Sequence, residues 1–209
     1  LGSDPGRADW NADLATTVNK VGVVLLSLGR YGEAEKALQR EHDLLTSALR
    51  TEPKNTRWTQ RLAANVNFLG RLSEETGAED AALERYSHER EIEAGLVAHD
   101  PANTSWQRQL AVTDSNIGRM LQHRRDPGAE KSYRHALTRL EPLLSKDASR
   151  VLWIRDIATI HEGLAVLMLD RGRAAEARSE IEAARATLST APPTEVDTRT
   201  LLTRKIPLH

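Results

Sequence analysis

Four tryptophans, Trp10, Trp58, Trp106 and Trp153, recur at intervals of 48, 48 and 47 residues, and each is followed four positions later by an apolar residue: Leu14, Leu62, Leu110 and Ile157. A fixed period of this length marks a repeat array, in which one small unit buries its apolar face only by stacking on its neighbours. The periodicity runs deeper than the indoles. Val21-Gly22, Leu69-Gly70, Ile117-Gly118 and Leu164-Ala165 align, as do Gly29, Gly77 and Gly172. So do Ala34, Ala82, Ala129 and Ala177, and then Leu38, Tyr86, Tyr133 and Ile181. The third copy lacks one residue near Arg125-Asp126-Pro127-Gly128, which accounts for the shorter last interval. The repeats divide as 8–52, 53–100, 101–147 and 148–190. Residues 1–7 read as a tag remnant or linker, and 191–209 as a linker with a short capping helix over Thr194 to Lys205.

Within each repeat the apolar residues keep helical spacing: Val18, Val21 and Leu25, then Ala34, Ala37, Leu38, Leu44 and Leu45 beyond Gly29. Each unit therefore reads as two antiparallel helices of about 22 residues, roughly 33 Å long at 1.5 Å per residue. Gly29, Gly77 and Gly172 fall where the first helix must close, because glycine accepts the left-handed conformation of a helix C-terminus. Glu52-Pro53 and Asp100-Pro101 stop the second helix, since proline cannot continue it and restricts the residue before it. Asn55-Thr56 and Asn103-Thr104 supply N-caps, and Thr104 with Gln107 has capping-box spacing.

The pattern Val18-x2-Val21-Gly22-x2-Leu25, with Gly29, Ala34 and Leu38 after it, resembles the tetratricopeptide repeat. The resemblance covers nearly all of residues 8 to 190, and recurrence in four copies makes it specific. It implies an all-α fold, a right-handed superhelical solenoid of four antiparallel helix pairs. The unit is longer than the family's 34 residues, and the tryptophan sits on an added N-terminal extension eight residues before Val18. Asp100 to Leu110 is similar to a long variant found in bacterial multidomain signalling proteins.

Composition bounds the function. The 209 residues are 39% hydrophobic and 28% charged with a net charge of -1, so neither a basic nor an acidic partner is implied by the total. No run approaches the roughly 18 apolar residues of a membrane span, and cysteine is absent, which fits a reducing, cytoplasmic setting and excludes thiolate chemistry. Scarce lysine beside abundant arginine and alanine hints at a GC-rich bacterial gene. His88-Glu89 and His161-Glu162 begin like a zinc-protease helix, but Ile92 and Ala165 stand where the second histidine would be. No phosphate loop, nucleophile elbow or metal-ligand set appears, so the expectation is a non-enzymatic chain without cofactor or metal. Arg124-Arg125 and Arg171 with Arg173 sit at turns among cancelling acids, with no stacking aromatics, which argues against nucleic acid.

The tryptophans read as packing residues rather than a ligand ladder. In tetratricopeptide proteins the first helices line the concave face that holds partners, and by register the resemblance places Asn19, Asn67, Arg71, Arg119, Gln122, His123 and Glu162 there. Amide and guanidinium donors of this kind hold a peptide backbone or carboxylate. Val23, Leu26, Val166 and Leu169 give the ends of that face an apolar character, as a surface for docking onto a catalytic domain in cis or onto a second copy. The implied function is a protein-interaction scaffold with a protein or peptide partner, with a regulatory or self-association module as the alternative.

Overall fold

The computed structural model describes residues 5–191, with side chains from residue 14 onward. The described residues form eight α-helices and no strand: α1 (Pro5–Ser27), α2 (Tyr31–Thr51), α3 (Thr56–Glu75), α4 (Glu79–His99), α5 (Thr104–His123), α6 (Ala129–Lys146), α7 (Val151–Asp170) and α8 (Ala174–Ser189). The first helix begins at Pro5, inside the stretch read as a linker. The capping helix expected over Thr194 to Lys205 lies outside the described residues. The chain divides into two compact units, Leu1–Trp106 and Gln107–His209. Consecutive helices pair across short turns, giving α1–α2 and α3–α4 in the first unit and α5–α6 and α7–α8 in the second.

The turns follow from one backbone device. Gly29, Gly77 and Gly172 have φ of 70°, 74° and 72°, and the amide of the residue after each donates back to the carbonyl five residues earlier: Arg30 to Leu25, Ala78 to Ser73 and Arg173 to Met168. This is the Schellman closure that left-handed glycine permits. The third repeat has the same closure, Asp126 N–H to Leu121 O at 2.8 Å, with Arg125 at φ 55° in the glycine position. The missing residue is absorbed just after it. Asp126 Oδ1 accepts the Gly128 N–H at 2.7 Å, with Pro127 between them where its missing N–H is harmless.

Glycines set the spacing within the first three pairs. A Cβ on Gly22 would lie 2.9 Å from Leu38, one on Gly70 2.8 Å from the Tyr86 ring, and one on Gly118 3.0 Å from the Tyr133 ring. Tyr133 is notched twice, because a Cβ on Gly163 of α7 would also meet its ring at 2.8 Å. Tyr86 and Tyr133 are thereby buried in the helix-pair cores.

The indoles follow the packing reading where they are described. Trp58 and Trp153 are buried and Trp106 is half-buried, while the side chain of Trp10 lies outside the described residues. Two tryptophans are also capped through their own backbone: Asn55 Oδ1 accepts Trp58 N–H at 3.2 Å and Asn103 Oδ1 accepts Trp106 N–H at 3.1 Å. The cap of α5 therefore falls at Asn103, one residue before the Thr104 of the expected capping box, because the asparagine oxygen reaches the third helical amide first.

Two apolar assignments change. Val21, expected in the core, is 50% exposed, and Val24 on the same helix and Leu28 in the turn after it are exposed with it. Their counterparts Leu69 and Leu72 in α3 are buried because α2 packs over them, whereas no described element covers that face of α1. Leu26, expected on an exposed docking surface, is instead buried in a cluster with Ala34 and Leu72, because Leu72 reaches it from α3.

Candidate functional site

Each unit carries an open groove where the C-terminal ends of two first helices come side by side. In the first unit a groove of about 480 Å³ is lined by Val23, Leu26, Ser27 and Leu28 of the α1 end, Tyr31, and Arg71 and Glu75 of α3. In the second, a groove of about 560 Å³ is lined by Gln122, His123 and Arg125 from the α5 end and by Val166, Leu167, Asp170 and Arg171 from the α7 end. The grooves occupy the same places in the repeat, since Leu26, Ser27 and Gly29 align with Gln122, His123 and Arg125. Likewise Arg71 and Glu75 align with Val166 and Asp170.

The second groove is held by a short relay. Burial pushes the Tyr133 phenol up to about 12, so it stays protonated and donates to Gln122 Oε1 at 3.0 Å. Gln122 Nε2 in turn donates to Asp170 Oδ2 at 3.2 Å, which joins the α5 and α7 walls. Deeper between the same helices, Arg108 and Asp156 pair at 2.6 Å. Burial raises the Asp156 carboxyl above its ordinary range, against the pull of the Arg108 hydrogen bond and charge. The turn below the groove is braced from the turn after α7: Arg171 and Arg173 reach Glu130 at 3.1 and 2.7 Å, and Arg173 also reaches Glu176 at 2.5 Å. The first groove is closed differently, by Tyr31 donating to Glu75 at 3.3 Å, while the Arg71 guanidinium lies 5.7 Å from the Phe68 ring centroid.

The residues predicted from register separate into two sets. Gln122, His123 and Val166 come together in the second groove, and Val23 and Arg71 line the first. Leu169 is exposed beside Asp170, and Arg119 is half-buried near Tyr133, whose phenol its charge holds down. Glu162 is half-buried on α7. Asn19 and Asn67 are engaged elsewhere: Asn19 donates to Glu41 at 2.7 Å and Asn67 to Glu89 at 3.1 Å, each joining the two helices of its own pair. These glutamates are almost wholly buried, and Asn65 adds a second amide to Glu41 at 2.8 Å. The amides of Asn19 and Asn67 are thus committed to the helix-pair core.

Register alone did not single out Arg125 and Arg171, which the groove adds. The signal for Arg125 was present in the alignment, as the one repeat without glycine at the turn. His161 of the broken zinc-type motif bonds Glu180 at 2.7 Å, and Arg134 holds the same carboxylate at 2.6 Å. Among the described residues no three histidine, aspartate or glutamate side chains gather as a metal-ligand set, and no helix is long and apolar enough to cross a membrane.

No protein-family model matches the chain, and neither does any curated protein. Solved structures with similar folds include MamA of AMB-1, 17% identical over 87% of this chain and 96% of that chain, with a TM-score of 0.38. BtubC from P. vanneervenii is 14% identical over 100% and 96% of the two chains, with a TM-score of 0.37. A thermophilic TPR protein of Thermus thermophilus is 19% identical over 89% and 95%, with a TM-score of 0.36. These are similarities of low identity, and the fold described above rests on the helices themselves.

Proposed function

We propose that the chain is a non-enzymatic, tetratricopeptide-like scaffold that binds a protein partner through an extended peptide segment laid in the groove of the second unit. One observation carries the reading: α7 brings an apolar wall, Val166 and Leu167, opposite hydrogen-bond donors on Gln122 and His123 of α5 and on Arg125 of the turn after it. An apolar wall with a few placed polar groups is what a peptide side chain and its backbone require. Helices present these groups in advance, so little ordering is needed on binding. The resemblance of Asp100 to Leu110 to long bacterial signalling repeats, together with the lack of cysteine, supports a cytoplasmic setting within a larger bacterial assembly.

Selection of binders from a displayed 12-residue peptide library, followed by methyl and amide NMR mapping, tests it. Shifts are expected to cluster on Gln122, Val166 and Leu167, and Val166→Asp is expected to weaken binding by about tenfold or more. Selected peptides that map away from the groove, or that bind Val166→Asp unchanged, would sink the reading.

A second reading, self-association or docking of a regulatory partner, draws on the exposed apolar residues Val21 and Val24 of α1, Leu28 just after it, and Leu152 and Leu169 of α7. Light scattering over a dilution series separates it. A concentration-dependent dimer abolished by Val24→Asp with Leu28→Asp supports self-association, and a monomer at every concentration removes it.

A further inference from the structure

The first and last described helices each carry half of a joint that the chain closes elsewhere. In the first unit α2 packs over α3, where Asn65, Leu69 and Leu72 are buried. In the second α6 packs over α7, where Ile160, Leu164 and Leu167 are buried. The same register on α1 reads Thr17, Val21 and Val24, and all three are exposed. Those positions on α1 are therefore built like an interior first helix, with two valines in water at the places where α3 and α7 are roofed.

The roofing helices are equally regular. They bury Leu38 and Leu45 in α2 and Tyr133 and Leu140 in α6. At these positions α8 has Ile181 and Leu188, and both stay half-exposed, with Arg185 exposed between them. The polar register also matches. In the α2–α3 joint Glu41 meets Asn65 at 2.8 Å, whereas α6 and α7 have Ala136 and Ile160 at those positions. α8 and α1 have Ala184 and Thr17 there, so bringing them together buries no carboxylate and strands no charge.

Resting on the self-association reading, we propose that the exposed face of α1 is covered by α8 of a second copy of this chain, packed as α2 packs on α3. The two faces stand on different helices, so the contact is heterologous and each added copy leaves one face of either kind free. A two-fold pairing of α1 on α1 would leave the half-open face of α8 unfilled.

Sedimentation velocity over a dilution series of the full chain tests the joint. The unchanged chain should form dimers that give way to longer species as concentration rises. Val24→Asp blocks the α1 face and Leu188→Asp the α8 face, and each alone should weaken association about tenfold or more. Mixed in equal amounts, the two variants retain one complementary pair of faces, so they should form a mixed dimer and nothing longer. A Leu188→Asp chain that still dimerises by itself overturns the joint while self-association stands. An unchanged chain that stays monomeric removes both, and the peptide reading of the second groove is decided separately by its own selection.

If circular dichroism shows that Leu188→Asp does not fold, cross-linking decides. The chain has no cysteine, so Thr17→Cys and Arg185→Cys, both at exposed positions, place single thiols. Their counterparts in the α2–α3 joint are Asn65 and His42, whose side chains meet at 3.3 Å. Bismaleimidoethane should join a Thr17→Cys copy to an Arg185→Cys copy and give no dimer from either alone. A dimer from Thr17→Cys alone, or none from the mixture, overturns the joint.

Discussion

The two units place side chains of opposite character at the same repeat positions. In the first, the α1 wall is apolar, with Val23, Leu26 and Leu28, and the charges Arg71 and Glu75 stand on α3. In the second, the α5 end carries the donors Gln122, His123 and Arg125, while α7 supplies Val166 and Leu167. Their interiors differ as well. The first unit sews its helix pairs together with buried carboxylates, Glu41 under Asn19 and Asn65, and Glu89 under Asn67. At the positions of those glutamates the second unit has Ala136 and Ala184. It buries its acids elsewhere, Asp114 against Arg139 at 3.3 Å and Glu180 against His161 and Arg134. The repeat thus fixes where each side chain stands, and leaves its chemistry free so long as every buried charge finds a partner.

The largest test of this comparison removes what the second unit's core is built around. Tyr133 sits in a notch made by Gly118 and Gly163, whereas Tyr86 is notched by Gly70. Tyr133→Ala is expected to destabilise by about 3–5 kcal/mol in urea melts, as for other buried aromatic truncations. Gly163→Ala, which drives a methyl toward the same ring, should cost about 1–3 kcal/mol as overpacking. A loss under about 0.5 kcal/mol for Tyr133→Ala, the range of an ordinary surface substitution, would show that the glycine notches do not set the helix spacing.

The carboxylate network of the first unit gives the next effect. Asn65 donates to Leu38 O at 2.9 Å and to Glu41, and its own oxygen meets His42 Nδ1 at 3.3 Å. Asn65→Ala should cost about 2–3 kcal/mol, because it strands a buried carbonyl and takes one donor from a buried acid. The loss should also depend on pH. Burial pushes the Glu41 carboxyl above its ordinary 4.5, while hydrogen bonds from Asn19 and Asn65 and the charge of Arg61 oppose the rise. A raised acid holds its proton more tightly in the folded state, so it weakens folding as pH rises from 4.5 through the folded value, and not below. Taking away Asn65 lifts that value further, so the difference from the unchanged chain should be smaller at about pH 4 than at about pH 7. An equal difference at both would mean that Glu41 does not titrate with the network.

Much of this was legible in the residues. The indole interval and the turn glycines pointed to the helix pairs, because backbone conformation at a turn admits few residue types. Burial of particular register positions was harder, since it depends on what lies across the helix: Leu26 faces the groove by register but is roofed by Leu72. Asn19 and Asn67 looked like groove donors, yet each stands 22 residues before the glutamate it bonds. That spacing recurs in both repeats of the first unit. Repeats three and four break it, with Ser115 and Ala136 at the paired positions of the third and Glu162 and Ala184 at those of the fourth. A search for pairs at the width of the helix hairpin would have found it. The role of Arg125 had no such pattern, because an unpaired side chain leaves no partner in the sequence.

The smallest effect addresses the turn at which the two grooves differ most. If the left-handed conformation is what glycine supplies, Arg125→Gly should stabilise the second unit by about 1 kcal/mol, and Gly29→Ala should destabilise the first by a similar amount. Neither position has a neighbour that would confuse the reading: a Cβ on Gly29 meets nothing within 4 Å, and Arg125 has no ion pair to lose among the described residues. Opposite signs in the two melts would show that the arginine is retained against local stability, which a binding role explains and folding does not. If Arg125→Gly proves neutral or destabilising, the arginine contributes to the turn itself, and its place in the groove follows from folding alone.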